Sequence, residues 1–452
     1  GKTKTLQLIA EQICAAGSPV FAADMKGDLA GIAEPGVSND KIAERVTALK
    51  CKWEPSSVPV EIVSLTGDDG VPLRASVTQF GPTLLSKVMS LNETQESSLS
   101  LVFRYCEEKN LALIELEDLR AALAWLTGPG KAELKELGGL SSATVGVLQR
   151  KVSELEGDGG DIFFGEPGLD VRDLLRVAPD GRGIATVMSL PNVATKPALF
   201  STFLMWVLSE LYEELPEVGD PDKPTLAFFF DEAHLLFADA SKSFLEAVTQ
   251  TVRLIRSKGV GVFFITQLPT DIPDQVLSQL GHRVQHAVRA FTPKDAKALK
   301  QAVETFPTTE HYSDLAETLQ SLGVGEAVVT VLDPRGVPTP VASTRLYPPT
   351  SRMGTLTDEE RRAIIAASAI GPKYNARVDR ESAEEILAAR LAGDAAQVDA
   401  AVERAKPAPK KRAPAADETL VDKVGDVLNS TTARQMGREL VRGIFGMLRK
   451  RR

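Results

Sequence analysis

Gly1-Lys2-Thr3 stands directly before a run of helical character, Lys4 to Gln12, and an apolar stretch ending in Asp24 follows. A glycine, a lysine and a hydroxyl residue in a row at a helix start suit a phosphate-binding loop. Backbone N–H groups take phosphate oxygens, the lysine reaches the β- and γ-phosphates, and the hydroxyl ligates Mg2+. Three residues alone are a common string, and an ordinary capped helix would read the same. A second element stands at 224–234, Pro-Thr-Leu-Ala-Phe-Phe-Phe-Asp-Glu-Ala-His, an apolar strand ending in an acidic pair. A carboxylate at such a strand end holds the Mg2+ shell, and its neighbour polarises the attacking water. Together the two predict an ATPase with ATP and Mg2+ as cofactors. Gly1, Lys2, Thr3 and Lys4 contact phosphate, Thr3 and Asp231 bind the metal, and Glu232 acts on the water.

Further residues fit around this pair. Gln267 closes the next apolar run, Val260 to Thr266, where it serves as a γ-phosphate sensor or as a plain capping amide. Arg253 and Arg256 are spaced to share one helix face. Either they stabilise a nucleotide across a subunit boundary or they are a surface pair. Asp24, Lys26 and Asp28 follow a strand end, where open α/β sheets place ligands. Asp24 is taken as cofactor-binding, although a simple turn around Gly27 fits equally well. His234 reads as site residue or filler. His282 and His286 are four apart in a segment that reads as strand, a poor metal pattern.

These residues need a scaffold, and the rest of the chain predicts one. Strands are expected at 19–24, 58–65, 183–190, 225–231, 260–266, 283–290 and 326–332, with 338–347 as an edge. They alternate with helices at 40–50, 197–215, 241–257, 273–280 and 293–303. That alternation predicts a doubly wound α/β fold with a mostly parallel central sheet. Leucine-rich helical spacing at 80–157 interrupts it. The expected organisation is a split core at 1–79 and 158–348, a helical insertion at 80–157 and a helical extension at 349–405. A Pro/Ala/Lys linker at 406–418 and a basic amphipathic tail helix at 419–452 complete it.

The 452 residues carry 52 Lys and Arg against 61 Asp and Glu, a net charge of −9 that argues against whole-surface nucleic-acid binding. Basic charge gathers instead at 404–412 and 429–452. No apolar run reaches the ~20 residues of a membrane span. Cys14, Cys51 and Cys106 lie far apart and read as reduced thiols of a cytoplasmic protein. The opening residues read as a loop-to-helix junction rather than a secretory leader.

In order, these segments resemble the HerA/FtsK superfamily of RecA-like motor ATPases, and within it the bacterial HerA-like proteins. The matching stretches are V-F-A-A-D-M-K-G-D-L-A-G at 20–31, F-F-G-E-P at 163–167 and L-A-F-F-F-D-E-A-H-L-L-F at 226–237. To these add V-R-L-I-R-S-K-G-V-G-V at 252–262, the run from I-P-D-Q to T-P-K-D at 272–295, S-R-M-G at 351–354 and R-G-I-F-G at 442–446. The resemblance implies a RecA-like P-loop NTPase that assembles as a hexameric ring, with ATP between subunits and double-stranded DNA as substrate. Lys2 and Thr3 match the Walker A end, Asp231 and Glu232 the Walker B pair, Gln267 the strand-end glutamine, and Arg253 and Arg256 the arginines after it. The first five positions of the phosphate loop precede Gly1, so this stretch by itself is expected to bind ATP poorly. The small β-barrel of archaeal HerA is not seen.

Two functions follow. One is a DNA motor, with Arg74, Lys87, Arg150, Lys151 and Lys196 as candidate pore cations. The other is a regulatory or assembly ATPase acting on a protein partner. Its basic tail would dock a partner helix, an acidic membrane surface or nucleic acid, or simply pack back on the ring. A purely structural nucleotide-binding role is a third reading, against which Glu232 argues.

Overall fold

Apolar runs of five residues, bounded by helices that cross back over the sheet, leave parallel pairing as the compact solution. The computed structural model describes residues 1–404 except 137–139, 191–196, 220, 238–241, 308–310 and 313. Its main sheet holds β1 (Val20–Asp24), β2 (Val60–Ser64), β3 (Val71–Pro72), β4 (Ala185–Ser189), β5 (Leu226–Phe230) and β6 (Val260–Phe264). The order is β3-β2-β4-β1-β5-β6, and every pair is parallel. β1, β4 and β5 are buried along their whole length, as strands covered on both faces should be.

Alternation assigns side chains to the two faces. On one face Val20, Ala22, Ala185, Val187, Ala227 and Phe229 meet Leu6, Ala10 and Cys14 of helix α1 (Lys2–Ala15). On the other, Phe21, Met188, Phe228 and Phe230 meet the long helix Pro197–Glu214 and the helices of the insertion. The three phenylalanines of β5 thus divide between layers. Phe229 stacks on Phe263 at 4.4 Å, while Phe228 lies between Phe21 at 4.9 Å and Phe230 at 4.8 Å. Each fully buried ring contributes about 1.5–3 kcal/mol.

The leucine-rich region forms helices Val77–Val88, Glu93–Glu108, Leu116–Thr127, Lys131–Glu136 and Ser142–Leu155. Ser76 with Gln79 and Asn92 with Gln95 close reciprocal capping boxes on the first two. Their leucines share one core with the main sheet.

The strands expected last in the sheet depart from it. β7 (Arg283–Gln285), β8 (Glu326–Thr330) and β9 (Ala342–Arg345) form a separate antiparallel sheet. The run 283–290 is strand over only its first three residues. Beyond them it bends, and the Arg289 guanidinium donates to the carbonyls of Gln320 and Leu322. These strands have their own apolar partners, Val288, Leu299, Phe306, Leu319, Leu322 and Val341 around Val328. A turn at Asp333–Gly336 returns the chain on itself, which gives antiparallel pairing between β8 and β9.

Residues 350–354 run across the back of α1. Gln7, fully buried, donates to Ser351 Oγ at 2.9 Å and to the Arg352 carbonyl at 2.8 Å. The Glu11 carboxylate accepts from the Thr350 and Ser351 amides at 2.9 and 3.1 Å and from the Ser351 hydroxyl at 2.7 Å. Gly31 is required beneath this strap, because a Cβ there would stand 1.9 Å from the Gly354 carbonyl oxygen. Arg352 then pairs with both oxygens of Glu360, at 2.8 and 2.9 Å.

Contacts divide the chain into Gly1–Ala392 and Gly393–Arg452. The described part of the second is the end of helix Ala383–Arg404. The linker at 406–418, the tail helix at 419–452 and its basic residues lie outside the described residues, as does Lys196. Among the described residues no helix is long and apolar enough to cross a membrane.

Candidate active site

The carboxyl edge of the main sheet is where the sequence-picked residues gather. Lys2 and Thr3 form the half-buried first turn of α1. Asp24 and Asp231 each lie two residues past the paired positions Ala22 and Phe229, which face α1. Alternation therefore puts both carboxylates on the α1 side at adjacent strand ends.

The two aspartates do different things. Asp24 is buried, and its two oxygens accept four backbone N–H groups. Gly27 and Lys26 donate to Oδ1 at 2.8 and 3.3 Å, and Leu29 and Ala30 to Oδ2 at 3.0 Å each. Burial raises its pKa against those bonds. Its carboxylate is spent on the loop that carries Lys26 and Asp28. Asp28 in turn lies 3.6 Å from Lys4 Nζ, which also donates to Gln7 Oε1 at 3.2 Å.

Asp231 is less encumbered. Among the described residues its Oδ1 accepts one bond, from the Glu232 amide at 3.0 Å. Burial pushes its pKa up to about 6, and the Glu232 charge adds to that, while Lys2 and Lys26 pull it down. The lysines are therefore close enough for their charge to act on this carboxylate.

Glu232 has φ of +48°, a left-handed backbone unusual for a residue other than glycine. This turns the chain out of β5 into the short helix His234–Phe237. The Ala233 amide bonds to the Ile265 carbonyl at 2.9 Å, tying the turn to the end of β6. Gln267, exposed, stands two residues past that anchor. Its loop is shaped by Asp271, which accepts from the Thr266 hydroxyl at 2.6 Å and the Leu268 amide at 3.0 Å.

Arg253 and Arg256 are not brought to this edge. They lie at the end of helix Lys242–Leu254 and in the 3-10 turn Ile255–Lys258, which enters β6 through Gly259. Gly259 accepts from Thr225 at the amino end of β5, at 2.8 Å. Both arginines are thus exposed at the opposite edge, about 16 Å away for strands of this length.

The sequence offers His286 only as half of a poor metal pattern, and the structure gives it another place. His286 joins α1 to the second sheet, with Nδ1 2.9 Å from the Glu326 carbonyl and Nε2 2.8 Å from Thr5 Oγ1. The carbonyl requires the proton on Nδ1, so Nε2 accepts from the Thr5 hydroxyl. Burial, aided by Lys2, lowers its pKa and keeps it neutral. Spacing alone could pair His286 only with His282. That histidine points elsewhere, accepting at Nδ1 from the Leu332 amide at 3.4 Å. No cluster of three potential metal-binding side chains occurs among the described residues.

The sequence matches the helicase HerA-like C-terminal family from residue 1 to residue 452. The chain belongs to that family. The HerA-like chain is 30% identical over 153 residues to the probable helicase MJECL08 of Methanocaldococcus jannaschii, a match covering 32% of this chain and 27% of that protein. It therefore spans little more than a quarter of that curated relative. Among solved structures, the bacterial conjugative coupling protein TrwBdeltaN70 in its sulphate complex aligns with a TM-score of 0.51 at 14% identity. That alignment covers 79% of this chain and 85% of the other. The plasmid coupling protein TrwB in complex with the ATP analogue ADPNP aligns with a TM-score of 0.50 at 13% identity, over 79% and 86%. These likenesses are of fold. The HerA-like chain has the α/β architecture of RecA-like P-loop ATPases, as its strand and helix alternation predicts.

Proposed function

We propose that this HerA-like chain is the motor core of a Mg2+-dependent ATP hydrolase. It works as a homo-oligomeric, hexameric ring with ATP between subunits, and it spends hydrolysis on translocating or unwinding double-stranded DNA. The observation that carries the reading is the convergence at one sheet edge of Lys2 and Thr3 with Asp231 and Glu232, close enough for Lys2 to act on the Asp231 charge.

The donor set fits the cation. Asp231 offers a hard carboxylate oxygen at a strand end, with one internal bond, and Thr3 offers a hydroxyl. Asp231 and Thr3 would hold Mg2+, which would supply positive charge against the negative charge that develops in phosphoryl transfer. Lys2 and the first amides of α1 hold the phosphates, and Lys4, anchored to Asp28, reinforces that positive end. Glu232 orients water and takes its proton, and Gln267 senses the γ-phosphate from the neighbouring strand. Asp24 contributes by fixing the loop that presents Lys26. The position of Arg253 and Arg256 supports action in trans: within one protomer they are a strand length from the site, so only another subunit can deliver them.

A second reading has an observation behind it. Of the cations suggested for a DNA pore, Arg74 is buried and donates to the Tyr374 carbonyl at 2.8 Å. Lys87 is buried over the Phe244 ring, and Lys151 pairs with Glu154 at 2.9 Å. Arg74 and Lys87 are used by the fold internally and face no DNA, and Lys151 is already paired on the surface. This favours an ATPase that acts on a protein partner, through the basic tail. Hydrolysis measured with and without duplex DNA, beside Glu232→Gln, separates the two. Several-fold, salt-sensitive stimulation that disappears in the variant supports the motor. Glu232-dependent hydrolysis indifferent to DNA supports the protein-directed ATPase. Absence of hydrolysis in wild-type protein carrying the whole phosphate loop, including the positions before Gly1, refutes both.

A further inference from the structure

We infer that His234 is the positioning residue of Glu232, holding its carboxylate in the orientation from which it acts on water. The inference rests on Glu232 being the group that handles the water. Its evidence is a pair of buried polar atoms left facing each other. Glu232 Oε2 and His234 Nδ1 are both buried, and among the described residues neither has a hydrogen-bond partner. They stand 3.5 Å apart, on side chains 18% and 38% exposed. Buried donors and acceptors are rarely left unmade, and those that are call for an explanation. An approach of less than 1 Å would satisfy both atoms at once, with Nδ1–H donating to Oε2.

The backbone around the pair is pinned, so the two side chains are held for each other. Ala233 N–H bonds to Ile265 at 2.9 Å, Leu235 N–H to Glu232 at 2.9 Å and Leu236 N–H to Ala233 at 3.1 Å. Within this turn the left-handed backbone at Glu232 takes its side chain out of the strand alternation that directs Asp231. The carboxylate therefore lacks the restraint that packing against β-strand neighbours would give, and His234 supplies one. Small displacements of a reacting group are expensive in rate, about a hundredfold for 1 Å.

The test is steady-state hydrolysis by full-length His234→Ala and His234→Asn, together with binding of a fluorescent ATP analogue. Asparagine places an amide nitrogen where the histidine has Nδ1, at the same number of bonds from the backbone. His234→Ala should lower kcat about tenfold to a hundredfold, with KM for ATP and analogue affinity within about twofold. His234→Asn should restore kcat to within about threefold of wild type. In a Glu232→Gln background, His234→Ala should cost nothing further, because the two residues act as one unit. Wild-type kcat in His234→Ala overturns the inference. So does failure of His234→Asn to rescue when both variants also lose analogue affinity, since that marks a structural role. Hydrolysis that survives Glu232→Gln refutes instead the assignment of Glu232, and this inference with it. A silent Glu232→Gln beside a fully active His234→Ala refutes the histidine alone.

Discussion

Asp231→Asn should make the metal-free protein more stable while abolishing its activity. Burial, and the Glu232 charge after it, raise the Asp231 pKa from 3.8 to about 6. Each unit corresponds to about 1.36 kcal/mol, so two units set a ceiling near 3 kcal/mol. Because the side chain is only half-buried, solvent reduces this to about 1–2 kcal/mol. The folded protein holds the proton more tightly than the unfolded chain. Its stabilising contribution is therefore complete below about pH 4 and is lost as pH rises through about 6. At neutral pH the ionised carboxylate is a liability, and asparagine removes the charge while keeping an acceptor for the Glu232 amide. Urea unfolding of metal-free wild type and variant at pH 7.5, 6.5, 5.5 and 4.5 should give a gap of about 1–2 kcal/mol at the first value, closing toward the last. Saturating Mg2+ and ATP should reverse the order, since a ligand at a hundred times its Kd adds about 2.7 kcal/mol to the form that binds it. A variant less stable than wild type at pH 7.5 without metal, or a gap unchanged across the series, would refute the reasoning.

Other consequences can be measured directly. Glu11→Ala should cost about 2–4 kcal/mol in chemical denaturation, because it leaves the Thr350 and Ser351 amides without an acceptor; a cost below 1 kcal/mol would mean that water fills the seam. If Arg253 or Arg256 acts across a subunit boundary, alanine variants at these positions should be inactive alone. Mixed with Glu232→Gln subunits, they should recover part of the wild-type rate, because some interfaces then combine an intact arginine with an intact glutamate. A mixture as silent as its components would place the arginines outside the site.

What could be read from sequence was what local pattern encodes. β1 and β5 are unbroken apolar runs closed by an aspartate, and their burial on both faces leaves parallel pairing little competition. Lys2, Thr3, Asp231 and Glu232 follow from their places at a helix start and a strand end. Three features were hidden for specific reasons. The run 283–290 mixes apolar residues with two arginines, a glutamine and a histidine, and no periodicity tells which sheet such a strand joins. Gln7 and Glu11 look like surface residues of a helix until residues more than 330 positions later cover them. The Glu232–His234 contact depends on one left-handed φ angle, which a glutamate in sequence does not announce. Asp24 shows the limit from the other side: sequence puts it at a strand's carboxyl end but does not show that four amides already occupy its carboxylate.

The strap across α1 also says something about how this molecule is made. The bonds from Gln7 and Glu11 to Ser351 span 344 and 340 positions, a closure that no local folding step can anticipate. Until Thr350 and Ser351 arrive, the helix that carries Lys2 and Thr3 keeps an amide and a carboxylate in water on the side that will become its interior. The amino end of the helix is therefore set by late contacts at its back. A nascent chain stopped short of the strap would carry every residue of the candidate site and still lack the fastening that holds the first of them in place.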